Sequence, residues 1–245
     1  MKIGIIGVGM VGGALSRWLT KNTPHKVVHF DPFKNMQDDF SKAQAIFITI
    51  PIYSERLGQD LNVLRETLAY ANRYTNKIFI RSTVLPGTCD LLKCISAPEF
   101  LTARRPDEDM EKLDVLVGEC DLGFAKDIFI GKNIIQMKNK EAELAKLTHN
   151  CFGAMKVTYF NTIFNLCKKF GVSYNQVLKG VDITGFINKE HTRVPGPDGL
   201  NGYGGTCFPE NMSAMKEFFE RIRFDDEQKL FEQIIKLNQT YRYSE

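Results

Sequence analysis

The chain has 245 residues, of which 43% are hydrophobic and 25% charged, with a formal net charge of +3. That length holds one large domain, or one ordinary domain with a smaller companion, and the composition is that of a folded globular protein rather than a disordered or fibrous one. The basic residues are scattered rather than run together with aromatics, and no apolar run approaches the ~20 residues of a membrane span, so neither nucleic acid nor a membrane is expected as a partner.

Six cysteines (Cys89, Cys94, Cys120, Cys151, Cys167, Cys207) show no Cys-x-x-Cys spacing and are accompanied by only four histidines, so no metal site is expected. A strand pattern starts at once in Met1-Lys2-Ile3, without a charged and apolar leader, and a cytoplasmic protein with reduced thiols is the expectation.

In chain order, Ile3-Gly4-Ile5-Ile6, a helical pattern from about Met10 to Thr20 and Val27-Val28-His29-Phe30 form a βαβ unit. Further strands are expected at Ala45 to Ile50, Lys77 to Arg81, Asp114 to Val117 and Asn133 to Gln136, with a helical pattern from Gln59 to Tyr74 among them. The strands lack apolar and polar alternation, as parallel strands covered on both faces do. Residues 1–138 are therefore expected to be an α/β domain built on a doubly wound parallel sheet, with residues 139–245 as a second, helical domain. Its first helix, Ala142 to Phe170, would be about 45 Å long at 1.5 Å per residue. Apolar residues lie on most sides of it (Leu144, Leu147, Cys151, Met155, Phe160, Ile163, Phe164, Leu166), which predicts burial in the domain or along a dimer seam. Gly171 ends it, a short helix follows at Tyr174 to Gly180, and a glycine- and proline-rich loop runs from about Asn188 to Pro209. A last amphipathic helix begins near Asp225, with Gln228 as capping-box partner and Leu230, Phe231, Ile234, Ile235 and Leu237 on its buried side.

Three features carry chemistry. Gly7-x-Gly9-x-x-Gly12, with Met10 and Val11 inside it, lies between a strand and a helix, where glycine permits a tight turn, close approach of backbone to pyrophosphate and close packing of helix on strand. Asp31, 24 positions after Gly7, ends the next strand, where a carboxylate accepts from ribose hydroxyls and repels a 2′-phosphate. NAD is thus favoured over NADP, with Lys34 as the contrary sign, and the plainer role for Asp31 is a strand-end turn before Pro32. Lys146 and Asn150, four apart on the long helix and followed by Gly153, could bind an oxyanion or orient a hydroxyl; alternatively they belong to a solvated stripe with Lys146 snorkelling. Cys207, in Gly202-Tyr203-Gly204-Gly205-Thr206-Cys207-Phe208-Pro209, is either a nucleophile presented by a glycine loop or a small buried hydrophobe.

Together with Arg81-Ser82-Thr83-Val84-Leu85-Pro86-Gly87-Thr88, Ala97-Pro98-Glu99-Phe100-Leu101 and Glu141-x-Glu143-Leu144-x-Lys146 through Asn150, these motifs resemble the UDP-glucose/GDP-mannose dehydrogenases. That resemblance implies a Rossmann-like domain followed by an all-helical central domain, and NAD-dependent oxidation of a nucleotide sugar at C6 from alcohol to carboxylate. It implies that Cys207 forms a thiohemiacetal and then a thioester, that Lys146 and Asn150 stabilise the C6 oxygen, and that Thr83 and Glu99 order water and proton transfers. The cofactor contacts implied are Gly7, Gly9, Met10, Val11, Gly12, Asp31 and Thr83. The substrate contacts implied are Glu99, Phe100, Leu101, Lys146, Asn150, Tyr203 and Gly204, with Arg193 reaching across a homodimer formed through the 142–170 helix. Glu210 and Asn211 stand where the family usually has lysine and aspartate, Ala103 stands where a second glutamate is common, and a third domain is expected to be missing. Two other functions stay open: two-electron oxidation of a smaller hydroxy compound, and NAD binding without catalysis.

Overall fold

A computed structural model describes residues 1–55 and 58–243. The chain divides into two compact units, one comprising Met1–Tyr53 with Gln59–Leu147 and the other Ser54–Gly58 with Thr148–Glu245.

In the first unit, β1 (Lys2–Ile6), α1 (Met10–Asn22) and β2 (Lys26–Asp31) build the expected βαβ unit, and a short 3-10 turn, Pro32–Lys34, leads into β3 (Met36–Gln37). After β4 (Ala45–Ile48) the chain passes through the two-residue strands β5 (Ser54–Glu55) and β6 (Gly58–Gln59) before α2 (Asn62–Ala71). Gln59 is thus extended rather than helical, and Asp60 starts the helix by accepting from the Asn62 N–H at 2.9 Å. Next come β7 (Ile78–Ile80), α3 (Thr88–Leu92), β8 (Ile95–Ser96), α4 (Pro106–Lys112), β9 (Val115–Val117), α5 (Leu122–Ile128) and β10 (Ile134–Gln136).

The main sheet has six strands in the order β3-β2-β1-β4-β7-β8. All its pairings are parallel except that of β3, which runs antiparallel on β2 at the edge, so the sheet is mixed rather than purely parallel. Strands β9 and β10 pair with each other as a separate parallel sheet instead of extending the main one, and β8, too short for a periodic signal, takes the place beside β7. Side chains from successive strand residues enter two different cores. Ile3, Ile5, Phe47 and Phe79 pack with Leu15, Trp18 and Phe129 on one face, whereas Ile6, Ile46, Ile48, Ile78 and Ile80 pack with Phe40 and Leu64 on the other. Burial on both faces is why these strands read as unbroken apolar runs. Strand order reverses between β1 and β4, which opens a crevice beyond their C-terminal ends, where the glycine turn lies.

The long helix α6 spans Asn139–Phe170, starting earlier than its apolar pattern because the Glu141 carboxylate accepts from the Lys138 N–H at 2.8 Å. Gly171, at φ +66°, ends it in the left-handed region. Burial on α6 is one-sided: Leu147, Cys151 and Phe160 are buried, Met155, Ile163 and Phe164 half-buried, and Leu144 and Leu166 exposed. Phe152, Tyr159 and Leu166 form an exposed row at seven-residue spacing. The second unit continues with α7 (Tyr174–Val181), α8 (Cys207–Ile222) and α9 (Asp225–Tyr243). The loop expected to run to Pro209 therefore ends at Thr206. Pro209 lies in the first turn of α8, where its missing N–H removes no helical bond. On α9, Phe231 and Asn238 are buried, while Leu230 and Leu237 are exposed at 55% and 42%, contrary to the expected buried side.

Candidate active site

The glycine turn sets the geometry of the first unit's candidate cofactor region. Gly7 sits at φ +86°, and a Cβ on Gly12 would run into the Gly7 carbonyl oxygen, so the start of α1 is pressed directly onto the turn. Gly9 caps α1 with no side-chain hydrogen bond, and no described atom would lie within 4 Å of a Cβ added there, while Met10 and Val11 follow in the first helical turn. The first amides of α1 therefore face accessible space at the positive end of the helix dipole. Asp31 is buried, and one carboxylate oxygen accepts from the Val8 N–H at 2.8 Å, so its position is fixed by the turn it serves. Lys34 is bonded at 2.5 Å to the Val8 carbonyl. An open helix N-terminus, a backbone that tolerates no side chain at Gly12 and a fixed carboxylate at the end of β2 fit a dinucleotide.

Glu99 and Lys146 come together in the same unit. Lys146 Nζ lies 3.2 Å from Glu99 Oε1, both side chains being almost wholly buried at 5% and 7% exposure. Lys146 is thus a buried ion-pair partner, not a snorkelling surface lysine. The second oxygen of Glu99 accepts from the Leu101 N–H at 2.6 Å, and the Phe100 ring lies 5.3 Å from the ammonium. Thr83 is half-buried, its carbonyl accepting from Gln59 Nε2 at 3.2 Å, while Gln59 Oε1 accepts from the Leu85 N–H at 2.9 Å.

Glu143, buried on α6, joins the 81–88 motif to the helix by accepting from the Gly87 and Cys89 N–H groups at 2.6 and 2.7 Å. Burial raises its pKa, outweighing the pull of those two donors. The folded state accordingly holds this proton more tightly than the unfolded chain, and stability conferred by the protonated form is lost as pH rises from the ordinary carboxyl range through the folded value. Glu143→Gln should lower stability at neutral pH by about 1–3 kcal/mol, because one amide N–H then loses its acceptor. In melts across pH, the wild type should gain on this variant as pH falls toward 4.5; the opposite trend would count against the assignment.

In the second unit Cys207 is the first residue of α8, exposed, with Thr206 as N-cap. The glycine stretch before it is clamped. Asn238 accepts from the Tyr203 N–H at 2.6 Å and donates to the Tyr203 carbonyl at 3.0 Å, and Asn161 accepts from the Gly202 N–H at 2.9 Å. Gly202 and Gly205 have φ near +72° and +74°, and a Cβ on Gly204 would lie 2.7 Å from the Arg242 guanidinium. Tyr203 itself is buried, which pushes its hydroxyl up to about 12, whereas Arg193 is exposed in the preceding loop. Asn150 Nδ2 donates to Asn211 Oδ1 at 2.5 Å, both side chains being buried. The space beside Gly153 is filled rather than open, since a Cβ there would lie 2.6 Å from the tip of the Phe208 ring. The Glu210 carboxylate accepts from the Ser54 N–H and hydroxyl at 2.8 and 2.9 Å, so it is bound to Ser54 in β5.

Within the units, then, the structure joins Glu99 to Lys146, Asp31 to the glycine turn, and Asn150 to Asn211. Sequence reasoning missed Asn161, Asn238 and Glu143 as supports of these motifs; the available signal was a polar residue at a core-facing helix position. Among the described residues no group of three or more His, Cys, Asp or Glu could hold a metal ion, and no helix is long and apolar enough to cross a membrane.

Residues 140–240 match the model of the UDP-glucose/GDP-mannose dehydrogenase family, central domain. UDP-glucose 6-dehydrogenase of Rickettsia bellii is 27% identical across 91% of this chain and 55% of its own length, and UDP-glucose 6-dehydrogenase YwqF of Bacillus subtilis is 26% identical across 91% and 54%. The chain thus spans about half the length of these curated relatives. A UDP-glucose dehydrogenase from the archaeon Pyrobaculum islandicum shares the fold with a TM-score of 0.80 at 20% identity, covering 97% of this chain and 68% of that one. With the glycine turn, the Glu99–Lys146 pair and the clamped cysteine stretch in place, residues 140–240 are similar to the central domain of the UDP-glucose/GDP-mannose dehydrogenase family, and the chain as a whole is similar to UDP-glucose 6-dehydrogenases across 91% of its length.

Proposed function

We propose that the protein oxidises the C6 alcohol of a nucleotide sugar such as UDP-glucose to the carboxylate, with NAD held over residues 1–138 and Cys207 in the central region, 139–245, as nucleophile. The observation that carries this is an exposed thiol at the N-terminal end of α8, held there by a glycine stretch that Asn161 and Asn238 clamp. The similarity to UDP-glucose 6-dehydrogenases supports the reaction class.

Gly7, Gly9, Met10, Val11, Gly12, Asp31 and Thr83 would hold NAD, which when bound would supply the hydride acceptor for each of two oxidations. Lys146 and Asn150 hold the C6 oxygen, the ammonium stabilising negative charge on it as the hydroxyl proton passes to water and the C–H hydride leaves, which gives the aldehyde. The thiol of Cys207 then adds across the aldehyde: a carbon–sulfur bond forms and the thiol proton ends on the oxygen. Loss of the second hydride, with that proton, leaves a thioester. Water cleaves the carbon–sulfur bond, releasing the acid and restoring the thiol, with Glu99 and Thr83 ordering the water and its protons. Glu99, Phe100, Leu101, Tyr203, Gly204 and Arg193 complete the sugar site. The exposed row Phe152, Tyr159 and Leu166 supports a homodimer through α6, which would bring Arg193 of a partner to the substrate.

The test is NADH formation with UDP-glucose and GDP-mannose, counting NADH per sugar consumed. Two per sugar is expected; one would favour two-electron oxidation, and none despite NAD binding would favour a non-catalytic NAD-binding protein.

A further inference from the structure

Arg81, the residue after β7, is buried to 4% exposure, yet its Nε and Nη1 have no hydrogen-bond partner among the described residues. It lines a small space of about 10 Å³ with Glu99, Phe100, Asp109 and Asp114, room for about one water molecule. The carboxylates there are engaged elsewhere. Asp109 accepts from the Thr102 N–H and hydroxyl at 2.7 and 2.5 Å and from Arg105 at 3.2 Å, Asp114 accepts from Asn133 at 2.9 Å, and Glu99 holds Lys146. Burial lowers the Arg81 guanidinium to about 10, the charge of Glu99 acting in the other direction. An apolar side chain at the end of β7 would fill the same volume without leaving buried N–H groups unbonded, so the arginine is costly as a structural choice. Charge is what it adds.

The Lys146–Glu99 pair alone is electrically neutral, and a neutral pair has little attraction left for a third group. Arg81 changes that sum. We propose that Arg81 is a positioning residue for this pair: a second buried cation sharing the one carboxylate gives the trio a net positive charge, so that Lys146 keeps an attraction for a substrate oxygen as it turns negative. This rests on the oxidation proposed above. In an interior where screening is weak, one extra charge lining the same space as Glu99 is enough to matter.

A double-mutant cycle on the whole protein tests the charge sharing without any substrate. Arg81→Met should melt close to the wild-type temperature, because the buried N–H groups it removes have no bonding partner among the described residues. Glu99→Gln should melt roughly 10 °C lower, because it leaves two buried cations without a carboxylate. The double variant should recover at least half of that loss. A fall for Arg81→Met as large as that for Glu99→Gln, failure of Arg81→Met to fold, or strictly additive losses would overturn the proposal. A second measurement compares binding of UDP-glucuronate, charged at C6, with that of UDP-glucose, neutral there. Arg81→Met should lower the affinity ratio on the order of tenfold, and Arg81→Lys should keep it; an unchanged ratio in Arg81→Met overturns the role toward substrate. Should the wild type bind neither ligand, the substrate assignment fails, and the melting cycle still decides whether Arg81 and Glu99 share charge.

Discussion

Serine in place of Cys207 should stop acid formation from the nucleotide sugar, lowering its rate by at least ~10³-fold while leaving the melting temperature within a degree or two. The residue is exposed at the head of α8, so the exchange of sulfur for oxygen costs little packing. The chemistry changes much more. A serine hydroxyl is a far weaker nucleophile than a thiol near neutral pH, where almost none of it is ionised. Any NADH still formed should stop at one per sugar, with aldehyde rather than acid as product. Chromatography of the products alongside the NADH count separates these cases. Acid formed within tenfold of the wild-type rate would show that the thiol is not the nucleophile.

Gly12→Val should abolish NAD binding and destabilise the protein by about 3 kcal/mol or more. The first added carbon alone collides with the Gly7 carbonyl oxygen and meets the Thr49 hydroxyl at 2.5 Å, and backbone cannot swing aside as a side-chain tip can. Helix α1 would have to lift from the turn that aims its amides. Gly9→Ala provides the contrast. No described atom lies within 4 Å of a Cβ there, so this variant should melt like the wild type while binding NAD at least tenfold more weakly, since only a ligand approaching the backbone would meet the new methyl. Calorimetric NAD titrations beside thermal melts of both variants check the pair; undiminished NAD binding by Gly12→Val would remove the glycine turn from the cofactor site.

The first unit was the more legible half. Ile3, Ile5 and Ile6 and their counterparts in β4 and β7 are buried on both faces, and such strands announce themselves by unbroken apolar runs. Strands β8 and β3, with two residues each, are too short to show any period, and only pairing with a neighbour defines them. Helix α8 was hidden for a different reason. Gly204-Gly205 and Pro209 are turn signals, and glycine before a helix with proline in its first turn has the same local spelling as a continuing loop. For the candidate site, motifs supplied the residues to consider but not their electrical states. Lys146 on a helix could be solvated or buried, and only the fold brings Glu99, 47 positions earlier, to 3.2 Å from it. The bonds from Ser54 to Glu210 span 156 positions and had no signal in the sequence at all.

That last connection limits how the protein can be taken apart. Ser54–Gly58 belongs to the second unit although the residues on both sides of it belong to the first, so the polypeptide passes between the units more than once. A gene fragment starting at Thr148 would encode α8 without Ser54, leaving the Glu210 carboxylate without the Ser54 N–H and hydroxyl just past Cys207. The helical half is therefore not a cassette that can be excised at one cut or grafted whole onto another cofactor-binding scaffold. A working chimera would have to carry the β4–α2 connection along with it, and recombination that separates the two sequence segments would break the cysteine helix from its support.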